Sequence, residues 1–191
     1  MVRRLAQTQP KAFEELVSEN FDALYRTALR LVGGRNADAE DLLQDSMLRA
    51  FEHFDQLRDT AAGRSWLFSI LVRTNLNRVR STARRSEHLT ADMNDGEFET
   101  ALAEWVPNAT PEEWLDRRES ANRVGRVLDD LHPDLRSAIL LTDVEGFSHL
   151  EAARMLQVPE GTVASRLFRA RAALRLTLKQ SSIALKARGG T

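Results

Sequence analysis

Residues 148–176, SHLEAARMLQVPEGTVASRLFRARAALRL, decide how the rest of the chain is read. Leu150, Ala153, Met155 and Leu156 give a short helix one apolar face. A tight turn follows at Gln157, Val158, Pro159 and Glu160. Pro159 suits a helix start, where its missing N–H costs nothing. The second helix opens around Gly161 and repeats apolar residues at Val163, Leu167, Ala170, Leu174 and Leu178. Its other face carries Ser165, Arg166, Arg169 and Arg171, and no acidic residue follows Glu160. Such a pair reads as a helix-turn-helix with a basic second helix for a DNA major groove. A helical hairpin with a solvated basic face has the same spacing, so the choice depends on the remaining sequence.

The chain has 191 residues, 42% hydrophobic and 29% charged, which fits a globular protein of one or two domains. No apolar run approaches the roughly 18 residues of a membrane span. The N-terminus has no apolar core behind its arginines, so no signal peptide and no membrane insertion are expected and a cytoplasmic location is. The absence of cysteine removes disulfide and thiol chemistry, and the four histidines lack metal-ligand spacing. No metal or cofactor is expected.

The net charge of −1 conceals segregation. Residues 60–86 hold Arg64, Arg73, Arg78, Arg80, Arg84 and Arg85 without an acid. Residues 87–119 hold ten acids against Arg117 and Arg118, a balance of −8. Basic residues alone appear after Glu160. That pattern points to a polyanionic partner.

Read in order, residues 11–32 form an amphipathic helix with Phe13, Leu16, Val17, Phe21, Leu24, Ala28, Leu29 and Val32 inward, interrupted near Asn20. Gly33 and Gly34 end it. Asn36 caps the next helix, 37–54, which buries Ala39, Leu42, Leu43, Ala50, Phe51 and Phe54. Asp41, Gln44 and Asp45 line its outer face beside Leu48 and Arg49, either as solvated charge or as a docking patch. A loop at 56–65 precedes a helix over 66–84. There Arg73, Asn77, Arg80 and Arg84 form one ridge whose mutual repulsion an anion would relieve. Trp66 at its start is either core or a stacking surface for an unpaired base.

Residues 86–108 read as a flexible acidic linker. Thr110, Pro111 and Glu113 then start a helix over 112–131, stopped at Pro133. A helix over 133–144 ends at Gly146, and the helix-turn-helix completes the unit. No segment alternates with period two. The fold class is therefore all-α: two small helical domains joined by a flexible acidic linker, the second containing the helix-turn-helix. The boundaries are 10–86, 87–110, 111–180 and a frayed tail 181–191.

With these motifs in place, the chain resembles an extracytoplasmic-function sigma factor, a small two-domain bacterial transcription initiation factor. DAEDLLQDSMLRAFEHF (38–54) is similar to the family's polymerase-binding helix and SWLFSILVRTNLNRVR (65–80) to its −10 recognition helix. LHPDLRSAILLTDVEGFSHLEAARMLQVPEGTVASRLFRAR (131–171) is similar to its −35 reader. The resemblance implies that Asp41, Gln44, Asp45, Leu48 and Arg49 dock on the clamp helices of the largest subunit of core RNA polymerase. It implies −10 contacts for Arg64, Trp66, Arg73, Asn77, Arg80 and Arg84, and −35 contacts for Thr162, Ser165, Arg166, Phe168 and Arg169. Promoter DNA is then a partner, and a cognate anti-sigma factor a regulator. The acidic linker matches the family's connector, which threads toward the polymerase cleft. Arg73 stands where many relatives have asparagine, Ala164 replaces a frequent basic residue and Ala152 a larger aliphatic one. No acidic domain like that of primary sigma factors stands upstream, so no built-in autoinhibition is expected.

Three other functions fit less of the chain. A sigma-like mimic that only binds an anti-sigma factor would not need the arginine ridge. A stand-alone repressor would not explain residues 38–54. A nucleic-acid enzyme would need a nucleophile–base pair, a metal cluster or a phosphate-cradling loop, and none is legible.

Overall fold

The computed structural model describes the backbone of residues 2–85 and 128–188, with side chains described for 11–82 and 128–176. The expected linker and most of the helix expected from 112 lie outside the described residues. Every regular element among the described residues is helical: α1 (Val2–Leu31), α2 (Asn36–Glu52), α3 (Gly63–Arg85), α4 (Pro133–Ile139), α5 (His149–Leu156) and α6 (Glu160–Arg188). Two 3-10 turns, Phe54–Gln56 and Thr60–Ala62, bridge α2 and α3.

Helix α1 runs unbroken through Asn20. The Asn20 amide donates to the Leu16 carbonyl at 2.8 Å, so the polar side chain is satisfied within the helix and no break is needed. Gly33 and Gly34 end the helix with φ of 73° and 77°, a backbone that side chains with a Cβ avoid. Helix α2 begins one residue earlier than the cap at Asn36 would allow. Arg35 is the N-cap without a side-chain cap bond, and its guanidinium pairs with Asp38 in the first turn.

Leu24, Ala28, Leu42, Ala50, Leu67, Phe68, Leu71 and Val72 are fully buried, and they tie α1, α2 and α3 into one core. Two expected core aromatics are not in it. Phe21 is 46% and Phe51 55% exposed. Phe51 instead packs edge-on against Phe13, which also meets Phe54, and Phe54 leans on Trp66. Helix α2 ends at Glu52, so the half-buried Phe54 lies beyond it on a 3-10 turn.

In the second group, α4 widens into a π turn over Leu140–Val144, and Gly146 at φ 77° redirects the chain. Ser148 caps α5 by accepting from the Glu151 N–H while Glu151 accepts from the Ser148 N–H, a reciprocal capping box. Gln157 adopts the left-handed conformation at φ 56° and supplies the turn into α6. Val163, Leu167 and Ala170 are buried against α4 and α5 as their spacing predicts. Leu150, expected on the apolar face of α5, is 48% exposed. The tail expected to fray from 181 is helical as far as Arg188.

The two groups pack on each other through one continuous buried core. Phe147 meets Phe68 edge-on at 5.3 Å, and the Arg136 guanidinium donates to the Leu31 carbonyl at the C-terminus of α1 at 2.8 Å. Arg136 also donates to the Leu131 and Asp129 carbonyls. Burial lowers its pKa below the ordinary arginine value, outweighing the opposite pull of Asp129 and Asp130.

Candidate polymerase-docking and nucleic-acid surfaces

Helical spacing in α2 places the whole expected docking set on one face. Asp41, Gln44, Leu48 and Arg49 are exposed, Leu48 by 57%, and Asp45 is half-buried. An exposed leucine among charges is the kind of apolar centre with a polar rim that a partner helix covers. Asp45 is not free in this face. Arg78 of α3 donates to its carboxylate at 2.5 Å and to the Asp41 carbonyl at 2.9 Å. An open groove of about 570 Å³ runs from Asp45, Leu48 and Arg49 to Arg73, Thr74 and Asn77, joining this face to the arginine ridge.

On α3, Leu67, Phe68, Leu71 and Val72 face the core, which turns Arg73, Asn77 and Arg80 outward. Asn77 and Arg80 are exposed and Arg73 is half-buried; the Arg84 side chain lies outside the described residues. Trp66 is half-buried against Phe54, combining the core and the surface alternatives. With Arg64, Ser65 and Leu57 it borders a cleft of about 720 Å³ whose opposite wall is Gly146, Phe147, Arg154 and Met155.

Three arginines of α3 approach oxygen atoms of the second helical group. Arg64 donates to the Glu145 carboxylate at 2.9 Å and to its carbonyl at 3.1 Å, with the guanidinium over the Phe147 ring at 4.4 Å. Arg73 donates to the Met155 carbonyl at 2.9 Å and the Arg154 carbonyl at 3.4 Å. A cation there complements the C-terminal dipole of α5. Arg80 comes within 3.8 Å of Asp134.

The first half of α6 presents Ser165, Phe168 and Arg169 on its exposed face, with Thr162 half-buried beside them. Phe168 is 42% exposed. Arg166 differs from the expectation. It turns back and donates to Asp134 at 2.9 Å, leaving 17% of its side chain exposed. Arg171 forms a two-pronged pair with Asp143 at 2.9 and 2.7 Å, which pulls the aspartate pKa down and the arginine pKa up.

Sequence reasoning missed Glu145 and Thr27. The Thr27 hydroxyl is fully buried and donates to the Glu145 carboxylate at 2.7 Å. Their partners stand 118 and 81 residues away along the chain, so no local pattern announces them. Among the described residues no cluster of metal-ligating side chains occurs, and no helix is long and apolar enough to cross a membrane.

Two protein-family models match the chain. Sigma-70 region 2 covers residues 16–85 and Sigma-70 region 4 covers residues 121–174. The ECF RNA polymerase sigma-E factor of Salmonella typhimurium is 34% identical over 177 residues, 91% of this chain and 90% of that protein. RNA polymerase sigma-H factor of Pseudomonas aeruginosa is 29% identical over 174 residues, with the same coverage of 91% and 90%. Among solved structures, the sigma factor RpoE of Bartonella quintana, in complex with the anti-sigma factor NepR, aligns at a TM-score of 0.64 and 27% identity. That alignment covers 88% of this chain and 98% of RpoE. CnrH, in complex with the cytosolic domain of CnrY, aligns at a TM-score of 0.61 and 25% identity, covering 93% of this chain and 94% of CnrH.

Proposed function

This chain belongs to the extracytoplasmic-function sigma factors of RNA polymerase and directs promoter-specific transcription initiation, and from that premise we propose how its surfaces divide the work. The α2 face of Asp41, Gln44, Asp45, Leu48 and Arg49 docks on the clamp helices of the largest subunit of core polymerase. Exposed Leu48 supplies apolar contact and the flanking charges fix register. The α3 surface of Arg64, Trp66, Arg73, Asn77, Arg80 and Arg84 takes the −10 element. Its arginines track the strand backbone while Trp66 and the adjoining loop offer a place for an unpaired base.

Helix α6 reads the −35 element with Thr162, Ser165, Arg166, Phe168 and Arg169. Arg169 is suited to the two acceptors of one guanine and Phe168 to a thymine methyl. The polymerase performs the chemistry of RNA synthesis; this chain supplies promoter choice and strand opening, and it acts in the cytoplasm. A cognate anti-sigma factor regulates it, a reading supported by two solved relatives, RpoE with NepR and CnrH with CnrY.

The observation that carries this division is the separation of surfaces. One exposed acidic-apolar face lies on α2, and two arginine-bearing faces lie on α3 and α6. Footprinting of the reconstituted holoenzyme tests it. The reading expects protection at two promoter positions, with the upstream one alone weakened by Arg169→Ala. Equal loss at both positions would contradict the assignment of α6.

A further inference from the structure

Arg78 belongs to the acid-free run of residues 60–86 but stands apart from the ridge of Arg73, Asn77, Arg80 and Arg84. Positions 71, 74, 75 and 78 share one side of α3. Leu71, Thr74 and Asn75 are buried on that side, so Arg78 continues the inward-facing row at the point where it leaves the core. Its Nη2 donates to two acceptors one turn apart on α2, the Asp41 carbonyl at 2.9 Å and the Asp45 carboxylate at 2.5 Å. The guanidinium thus crosses from α3 to α2 and grips the middle of the α2 face. Neither the docking set nor the strand-binding set includes it.

We infer that Arg78 is a positioning residue for polymerase docking, which holds the Asp45 carboxylate in the orientation that core polymerase meets. This rests on the assignment of the α2 face to the clamp helices.

Two effects of the pair oppose each other. A lone aspartate on an exposed helix samples several rotamers, and fixing one of them on binding weakens affinity about two- to tenfold. Arg78 fixes it beforehand. It engages only Oδ2 and leaves the Asp45 side chain 49% exposed, so the carboxylate still faces a partner. Against this, a paired carboxylate attracts a partner cation less. Arg78 is 37% exposed as well, so water screens that loss and pre-orientation prevails. Exposed Leu48 stands three residues beyond Asp45 on the same side of α2, so the held carboxylate borders the apolar centre of the face.

The test measures affinity for core polymerase around a double-mutant cycle in the full-length chain. Arg78→Met keeps an unbranched apolar stem and removes the donors. It should weaken core binding about three- to tenfold, and in an Asp45→Ala background it should change nothing further. Arg78→Lys, whose ammonium can serve both acceptors from one nitrogen, should restore most of the affinity. In run-off transcription the loss should appear in the chain concentration needed for half-maximal product, not in the level reached at saturation. A contact that served stability alone would act equally in both backgrounds.

Tighter core binding by Arg78→Met would overturn the inference, because the pair would then compete with polymerase. Equal losses with and without Asp45 would overturn it too, as would a lower level at saturation, which would assign Arg78 to the promoter. The inference alone fails if Leu48→Arg and Asp45→Ala weaken core binding while Arg78→Met does not. Core binding unaffected by Leu48→Arg and Asp45→Ala would instead move the docking face off α2, and the role of Arg78 would fall with it.

Discussion

Asp134, at the start of α4, accepts from Arg166 of the recognition helix at 2.9 Å and lies 3.8 Å from Arg80 of α3. One carboxylate therefore stands between a side chain expected to read the −35 groove and one expected to follow the −10 strand. It is 24% exposed, and its Oδ1 lacks a hydrogen-bond partner. Asp134→Ala should release Arg166 and cost about 1–2 kcal/mol of stability, between the values for exposed and buried pairs. Binding to duplex −35 DNA should tighten at low salt as a like charge leaves the interface. Denaturant melting and a salt titration of binding check both signs.

Arg169→Ala should weaken −35 duplex binding by about 1–3 kcal/mol and relax the preference at one base pair. Arg166→Ala should cost stability as well, because its partner is an internal aspartate. Selection of binding sites from a randomised duplex separates the two. Only the first variant should change one position of the recovered consensus while its melting midpoint stays put.

Leu48→Arg should abolish co-purification with core polymerase at an unaltered melting midpoint, since Leu48 is 57% exposed. Asp45→Arg should abolish it too, but with a stability loss of up to about 1 kcal/mol from the broken pair with Arg78. Retention of polymerase by both variants would move the docking face elsewhere.

The capping box of α5 is sensitive to acid. Hydrogen bonds from the Ser148 hydroxyl and backbone N–H lower the Glu151 pKa below its usual 4.5. A carboxylate depressed in the folded state contributes stability above its unfolded pKa and loses it as pH falls through the folded value. Asp143, lowered chiefly by its bond from Arg171, adds in the same direction. Stability should therefore decline below about pH 4.5. Glu151→Gln should flatten part of that decline, and Ser148→Ala should cost about 1 kcal/mol at neutral pH. A melting series across pH 3–6 reads both effects.

Much of the fold is legible because it is local. Gly33 and Gly34 stop α1, Gly146 ends the π turn, and Val163, Leu167 and Ala170 hold helical spacing into the core. The α2 face is legible for the same reason, since residues three and four apart share a side. Ser148 and Glu151, three residues apart, spell a capping box by the same local logic.

Other features depend on partners far along the chain. Phe51 and Leu150 look like core residues by type and periodicity, yet both are about half exposed. Arg166 has the spacing of an exposed ridge, but a carboxylate 32 residues earlier draws it inward. Arg64, Arg73 and Arg136 look like solvated charge, while each seeks carbonyl oxygens on the other helical group. Long side chains with several donors reach beyond what periodicity constrains.

Run-off transcription with purified core polymerase on genomic fragments tests the central claim most directly. Wild-type chain should direct transcripts from a small set of discrete start sites sharing two sequence elements, and Leu48→Arg should direct none. Transcripts no different from those of core polymerase alone, on every fragment, would contradict the account.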